Sequence, residues 1–319
     1  MALKLPRRKF LGGFALSVGG LFVPRIVRAQ LGTSPPFMYV DSSAVGLDPF
    51  VTAWYASVQA TAAGQGNTAV ILDTELAAHN ALYLGLQTDS LLSKIKALMT
   101  YPGTGAGDTA LYGALVPLIS NVGNNPWTNV GLNFQPANLT VNGLVGNASN
   151  YLNTGINPST AFGNQTHGGW SIYSYSVAAN GFNFGTYNAS VAFMGAAKYS
   201  DNNAYGYNGG IGNVITVASP GAGFYTDLRV SSTDHRLYFA NGSNAHAQIG
   251  STDTTSFSGT LPNGNMFLFA EDFIGTGVQF SCSDRQSFVC IHEGFTATDS
   301  ANLFTRVQTF LQAKGGGFV

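Results

Sequence analysis

Apolar positions recur at helical spacing near the start of the chain and at strand spacing through most of the rest. Asp48-Pro49 sets an N-cap before a proline at the first helical position, and Phe50–Ala63 predicts a helix ended by Gly64. Asp73 or Thr74 caps a second predicted helix to about Leu86, with Leu76, Ala77, Ala81, Leu82 and Leu84 as its apolar set. Asp89-Ser90 opens a third over Leu91–Met99, stopped by Tyr101-Pro102-Gly103. Its Leu91, Leu92, Ile95 and Leu98 share one face while Lys94 and Lys96 point outward. Leu111–Val122 reads equally as a short helix or a buried strand, with Pro117 inside it.

From about Asn121 acids and bases thin out, and short alternating runs appear between turn signals. They are Leu139–Val145, Tyr151–Thr154, Trp170–Val177, Ser190–Tyr199, Ala204–Tyr207, Asn213–Ala218, Phe224–Val230, Arg236–Ala240, Met266–Ala270, Val278–Cys282 and Ser287–Ile291. Asn-Gly at 142–143, 208–209, 241–242 and 263–264 fits tight turns with positive φ. This series predicts a mainly β chain, an antiparallel two-sheet sandwich or barrel. At the end, Thr298-Asp299 caps a helix whose apolar face is Leu303, Phe304, Val307, Phe310 and Leu311; Gly315–Gly317 closes it. No internal repeat of the solenoid kind is visible.

The N-terminus is set apart. Pro6-Arg7-Arg8-Lys9-Phe10-Leu11 precedes the weakly apolar run Gly12–Val23, and Val27-Arg28-Ala29 offers small residues for cleavage. This resembles a twin-arginine translocation signal over residues 1–29, carried by Arg7 and Arg8, which implies export of a folded chain from a prokaryotic cytoplasm. The run is too short to span a bilayer, and no later stretch reaches that length. Residues 30–46 read as an exit linker.

Composition agrees with export. Charged residues make up 9% of the 319, against ~25% in an ordinary globular domain. Asn, Ser, Thr, Gly and Tyr must therefore cover the surface. Removing residues 1–29 takes six of the 14 basic residues and no acid, leaving 8 against 15, a balance of −7. That excludes a cationic nucleic-acid footprint from the expected mature chain.

Three stretches carry a further resemblance. They are Val141-Asn142-Gly143 with Asn150–Thr160, Leu228–Thr233 with Arg236-Leu237-Tyr238, and Glu293-Gly294-Phe295 with the Arg306–Phe310 part of the last helix. Leu92–Leu98 and Tyr101-Pro102 match the helical stretch preceding them. Together, over roughly residues 75–314, they resemble a bacterial and phage group of the concanavalin A-like lectin/glucanase superfamily, with a laminin-G-like jelly roll. The resemblance implies a jelly-roll sandwich over 121–319 with a docking C-terminal helix, after a helical region over 30–120. The implied role is a structural, phage-tail-like or glycan-binding module. The twin-arginine-like signal departs from that group and weighs against a phage-structural role.

The chemistry is sparse. Glucanases of this superfamily use Glu-x-Asp-x-x-Glu on one strand, and nothing similar occurs here. The only glutamates are Glu75, Glu271 and Glu293, and Glu271-Asp272 are adjacent, so a strand points them to opposite faces. His79, His167, His235, His246 and His292 show no metal-ligand spacing. Cys290 and His292 share a strand face, but a dyad without an orienting group reads more readily as packing. Cys282 and Cys290 flank a turn and suit a disulfide in an exported protein, the alternative being two buried thiols.

Among the aromatics, Tyr173 and Tyr175 read as core, while Tyr205 and Tyr207 sit between Asp201-Asn202-Asn203 and Gly209-Gly210 as in an exposed hairpin. A sugar site is therefore expected there: Tyr199, Tyr205 and Tyr207 stacking a ring, and Asp201, Asn202, Asn203 and Asn208 bonding hydroxyls. Calcium, which laminin-G-like relatives hold at one edge, would draw on Asp201, Asn203 and Asp253, though no loop spacing supports it. The overall expectation is an exported, non-catalytic module that binds a glycan or a partner surface, with a glycoside hydrolase or lyase of the same fold as the alternative.

Overall fold

The computed structural model describes residues 46–66, 68–103, 110–121, 126–147, 149–178 and 180–316. The twin-arginine-like segment with Arg7 and Arg8 lies outside the described residues. Leu47–Val319 form one compact unit. Its helices are α1 (Pro49–Ala63), α2 (Asp73–Thr88), α3 (Ala110–Gly113), α4 (Pro158–Ala161) and α5 (Ala297–Ala313).

Among the described residues, eighteen strands, numbered in chain order, build two sheets. The first runs β14 (Ala247–Asp253), β13 (Asp234–Ala240), β12 (Gly223–Ser231), β7 (Gly168–Ser176), β18 (Arg285–Glu293), β1 (Ile95–Met99), β2 (Ile119–Ser120). The hairpin β4 (Leu139–Thr140) and β5 (Gly143–Val145) also joins β18. The second runs β11 (Val214–Ala218), β10 (Asn203–Gly210), β9 (Val191–Ala196), β8 (Phe184–Tyr187), β15 (Phe267–Leu268), β6 (Leu152–Asn153), β3 (Thr128–Asn129). β16 (Glu271–Phe273) adds to β8 in parallel and pairs with β17 (Gly277–Gln279); every other pairing is antiparallel. The expected mainly β sandwich is the fold.

Alternation along the strands sorts the core. Trp170, Ile172, Tyr225, Leu237, Val289 and Ile291 of the first sheet face Phe184, Phe193, Ala204, Ile215 and Leu268 of the second in one buried cluster. The opposite side of the first sheet (Tyr173, Phe224, Leu228, Phe288, Cys290) packs under α1, α2 and α5 in another. The expected α5 face is buried at Leu303, Val307, Phe310 and Leu311. Its cap is Thr296, not Thr298: Thr296 and Asp299 form a reciprocal capping box, and Asp299 also pairs with Lys94 at 2.7 Å.

Two expectations change here. Leu91–Met99 is not a helix but a 3₁₀ turn followed by β1, set between β18 and β2. Ile95 and Leu98 face the helical layer while Ala97 and Met99 face the inter-sheet core, so both faces are covered and polar alternation disappears. The region expected to be helical over 30–120 thus contributes β1 and β2 to the sandwich, and residue 120 is no boundary within the compact unit.

Cys282 and Cys290 are free, buried thiols, so the expected disulfide is not formed. Cys282 lies in the inter-sheet core and Cys290 under the helices. The sheet separates them, and burial raises both thiol pKa values. His292, on the face shared with Cys290, stacks on Phe295 at 3.9 Å, and burial lowers it to about 3. That dyad is packing.

Candidate functional site

The outer side of the second sheet differs from that of the first. None of the described helices contributes to its cluster of Phe182, Ala192, Met194 and Ala196 with Tyr187, Tyr199, Tyr205 and Tyr207 against them. β9 alternates, placing Ala192, Met194 and Ala196 outward and Phe193 inward. The register sets Tyr187 opposite Ala192, Tyr207 opposite Met194 and Tyr205 opposite Ala196. Two alanines and a methionine on this strand with tyrosines on its neighbours make an aromatic-walled depression.

Phe182, Phe280, Ile211 and Glu271 complete a cleft of about 430 Å³. Ile211 is 49% exposed and Phe280 48% exposed, so its rim is apolar and open. Phe280 occupies the left-handed region at φ 46°, which a bulky residue adopts only when its surroundings impose it. Its carbonyl accepts from the Phe182 N–H at 2.9 Å. Gly181 allows that approach, because a Cβ there would sit 2.2 Å from the same oxygen. Phe182 meets Tyr199 at 5.1 Å and Tyr207 at 6.2 Å between ring centres, and Tyr205 and Tyr207 lie stacked 5.9 Å apart.

Polar groups sit in and beside this wall. Glu271, the first residue of β16, is 2% exposed and is the one carboxyl lining the cleft. Among the described residues no group donates a hydrogen bond to its side chain and no cation pairs with it. Burial, helped by the neighbouring Asp272 charge, pushes it up to about 7. At one end of β10, Asp201 accepts from the Tyr205 hydroxyl at 2.5 Å and from the Asn203 side chain at 3.0 Å. The Tyr205 bond lowers the Asp201 carboxyl, and the same bond raises the Tyr205 hydroxyl to about 12.

Of the expected sugar-site residues, Tyr199, Tyr205 and Tyr207 line the cleft together. Asp201 and Asn202 lie in the turn entering β10, with Asn202 at φ 68°, and Asn203 is the first residue of the strand. Asn208 is not among them. Asn208-Gly209 lies inside β10, not in a turn, and Asn208 points between the sheets, fully buried. Its amide donates to Gly168 O and Asp227 Oδ1, both at 2.8 Å. Asp227 also meets His235 Nε2 at 2.6 Å, and Arg229 Nε donates to Asn208 O. The two sheets are thereby joined by a buried polar cluster.

The calcium set is not assembled. Asp253 takes Asn213 Nδ2 at 3.2 Å beyond one end of β10, while Asp201 precedes the other end. Eight strand residues between them span roughly 25 Å. Among the described residues no three or more His, Cys, Asp or Glu gather as metal ligands. Glu293 is occupied too, pairing with Lys96 at 2.7 Å and accepting from the Asn164 N–H, which holds its carboxyl below the ordinary range despite partial burial.

Sequence reasoning missed Phe182, Met194, Ile211 and Phe280, and weighed Glu271 only for a paired-carboxylate role. They come from strands and loops far apart in the chain, and no local signal links them.

No family model and no curated protein matches the chain. Among solved structures, it resembles domain 4 of AbnA, a GH43 extracellular arabinanase from Geobacillus stearothermophilus solved with arabinotriose. That match has 11% identity and TM-score 0.34, covering 66% of this chain and 98% of that one. It also resembles a mutant Trypanosoma rangeli sialidase displaying trans-sialidase activity. There identity is 9% and TM-score 0.42, covering 74% of this chain and 39% of the other. At these scores neither likeness carries an argument about function.

Proposed function

We propose that the protein is an exported carbohydrate-binding module of concanavalin A-like, laminin-G-like type, with the aromatic cleft on the second sheet as its glycan site. One observation carries this reading: tyrosine and phenylalanine residues line an open depression that also holds a buried carboxyl with no partner among the described residues. Sugar rings present apolar C–H faces that stack on such rings, and their hydroxyls bond to a carboxyl that donates when protonated and accepts when ionised. Tyr199, Tyr205 and Tyr207 supply faces, Glu271 is the internal hydrogen-bonding group, and Asp201, Asn202 and Asn203 supply polar groups at the rim. No metal takes part in this reading. The Arg7-Arg8 segment supports export by the twin-arginine route, and an Arg7→Lys/Arg8→Lys chain retained in the cytoplasm is the expected result.

Removing a stacking ring from such a site costs about 2 kcal/mol of binding, or roughly thirtyfold in affinity. Isothermal titration with soluble oligosaccharides of several backbones should show that loss in Tyr207→Ala, with the unfolding midpoint nearly unchanged. Binding equal to that of the unaltered protein would refute the site.

One observation favours the hydrolase alternative. Glu271 is raised while Asp201 is lowered, and both act on the hydroxyls of Tyr199 and Tyr207. Divergent carboxyl environments characterise acid and nucleophile pairs. Release of reducing sugar by the purified protein, abolished by Glu271→Gln, would establish the enzyme.

A further inference from the structure

Glu271 sits in an unusual setting for a neutral ligand. It is the single ionisable acid lining the cleft, no lining residue is basic, and it enters none of the ion pairs among the described residues. The cleft it lines is otherwise mostly aromatic: Phe182, Tyr187, Tyr199, Tyr205, Tyr207 and Phe280. The face of an aromatic ring carries the negative end of its quadrupole, so rings and carboxylate favour the same sign of guest. A neutral guest that stacks on these rings leaves that potential unused.

We propose that the cleft selects a glycan unit bearing a cationic amino substituent, placed with its charge against the Glu271 carboxylate and the tyrosine faces. The inference rests on the reading of the cleft as a sugar site and names the class of sugar. The carboxyl's ordinary state fits it. Burial pushes the Glu271 carboxyl up to about 7, and an arriving cation favours its ionised form. Around Glu271 the other titratable groups are Asp272 on the same strand and the hydroxyls of Tyr187, Tyr199, Tyr205 and Tyr207, with Asp201 at the rim. None of these is a cation that would repel the guest.

The test uses three β-1,4-linked oligomers that differ only at C2: glucose, N-acetylglucosamine, and glucosamine with its amino groups trimethylated so that their charge is independent of pH. Choline and its carbon isostere, in which carbon replaces nitrogen, serve as a small-molecule pair. Affinities are measured for the unaltered protein and for Glu271→Gln, whose folding is checked by thermal unfolding. The expected result is a charged oligomer bound about tenfold or more tighter than the neutral ones, a preference that Glu271→Gln removes. Equal binding of all three oligomers overturns the inference and leaves the sugar reading standing. Choline bound in preference to its isostere, with no oligomer bound, keeps the cation selectivity and overturns the sugar reading. Binding of no probe overturns both. A charge preference that survives in folded Glu271→Gln also overturns the inference, because another group would then create it.

Discussion

Replacing Asn208 with alanine separates two roles for that residue: rim group of a sugar site, or bolt between the sheets. Its side chain is fully buried and donates to Gly168 O and Asp227 Oδ1, each at 2.8 Å. Losing the bond to a neutral carbonyl costs about 1 kcal/mol, and losing the one to a carboxylate about 1.5–3 kcal/mol. The amide oxygen of Asn208 has no partner among the described residues, so removing it returns about 1 kcal/mol. The balance is a destabilisation of about 1.5–3 kcal/mol. Asp227 is then left with His235 as its remaining side-chain partner in a fully buried position. Urea unfolding should show a lower midpoint at unchanged m-value, which marks a loss of stability without a change in exposed surface. Oligosaccharide affinity, measured well below the unfolding transition, should stay within about twofold of the unaltered protein, less than 0.5 kcal/mol. A stability change under about 1 kcal/mol would refute the reasoning. Lost binding with intact stability would return Asn208 to the ligand site.

Phe310→Ala should cost about 3–5 kcal/mol in reversible unfolding, since Phe310 is buried against His79 at 4.8 Å and anchors α5; a change under about 1 kcal/mol would mean α5 does not hold the helical layer. Thiol titration without reductant should find no reactive thiol in the native protein and two after denaturation, whereas none after denaturation would restore the disulfide. Lowering pH should also weaken the fold through His79, which burial depresses to about 4 and which bonds Thr100 at 2.9 Å. The unfolded chain protonates this imidazole first, so its contribution falls by about 1.4 kcal/mol per pH unit from the model-peptide value near 6.5 down towards 4. His79→Gln should flatten that part of the pH–stability curve, and an unchanged slope would show that His79 does not carry it.

Much of this protein follows from its sequence alone. Period-two alternation bounded by Gly and Asn marked most of the strands, because each has one covered face and one face of different character. The apolar stripe Leu303, Val307, Phe310 and Leu311 marked the buried side of α5. Alternation also placed Tyr205 and Tyr207 on the same side of one strand, which is why the core of the cleft was legible. Adjacency of Glu271 and Asp272 already argued against a paired-carboxylate strand.

What the tertiary structure decided is which face meets what. Asn208 alternates correctly with Tyr207, yet only the second sheet's position turns it inward onto Asp227. β1 looks helical because both its faces are covered, and coverage is set by β18, β2 and the helices above. Cys282 and Cys290 are close in sequence but lie in different cores, since a sheet separates what a short loop joins. Glu271 meets the tyrosines through β16, which pairs with β8 from far along the chain, and Phe280 follows β17 into the same cleft. Helices cover the outer side of the first sheet, while none of the described helices joins the aromatic cluster on the second. Burial and charge at each site depend on this layering, a property of non-local packing that no window of sequence contains.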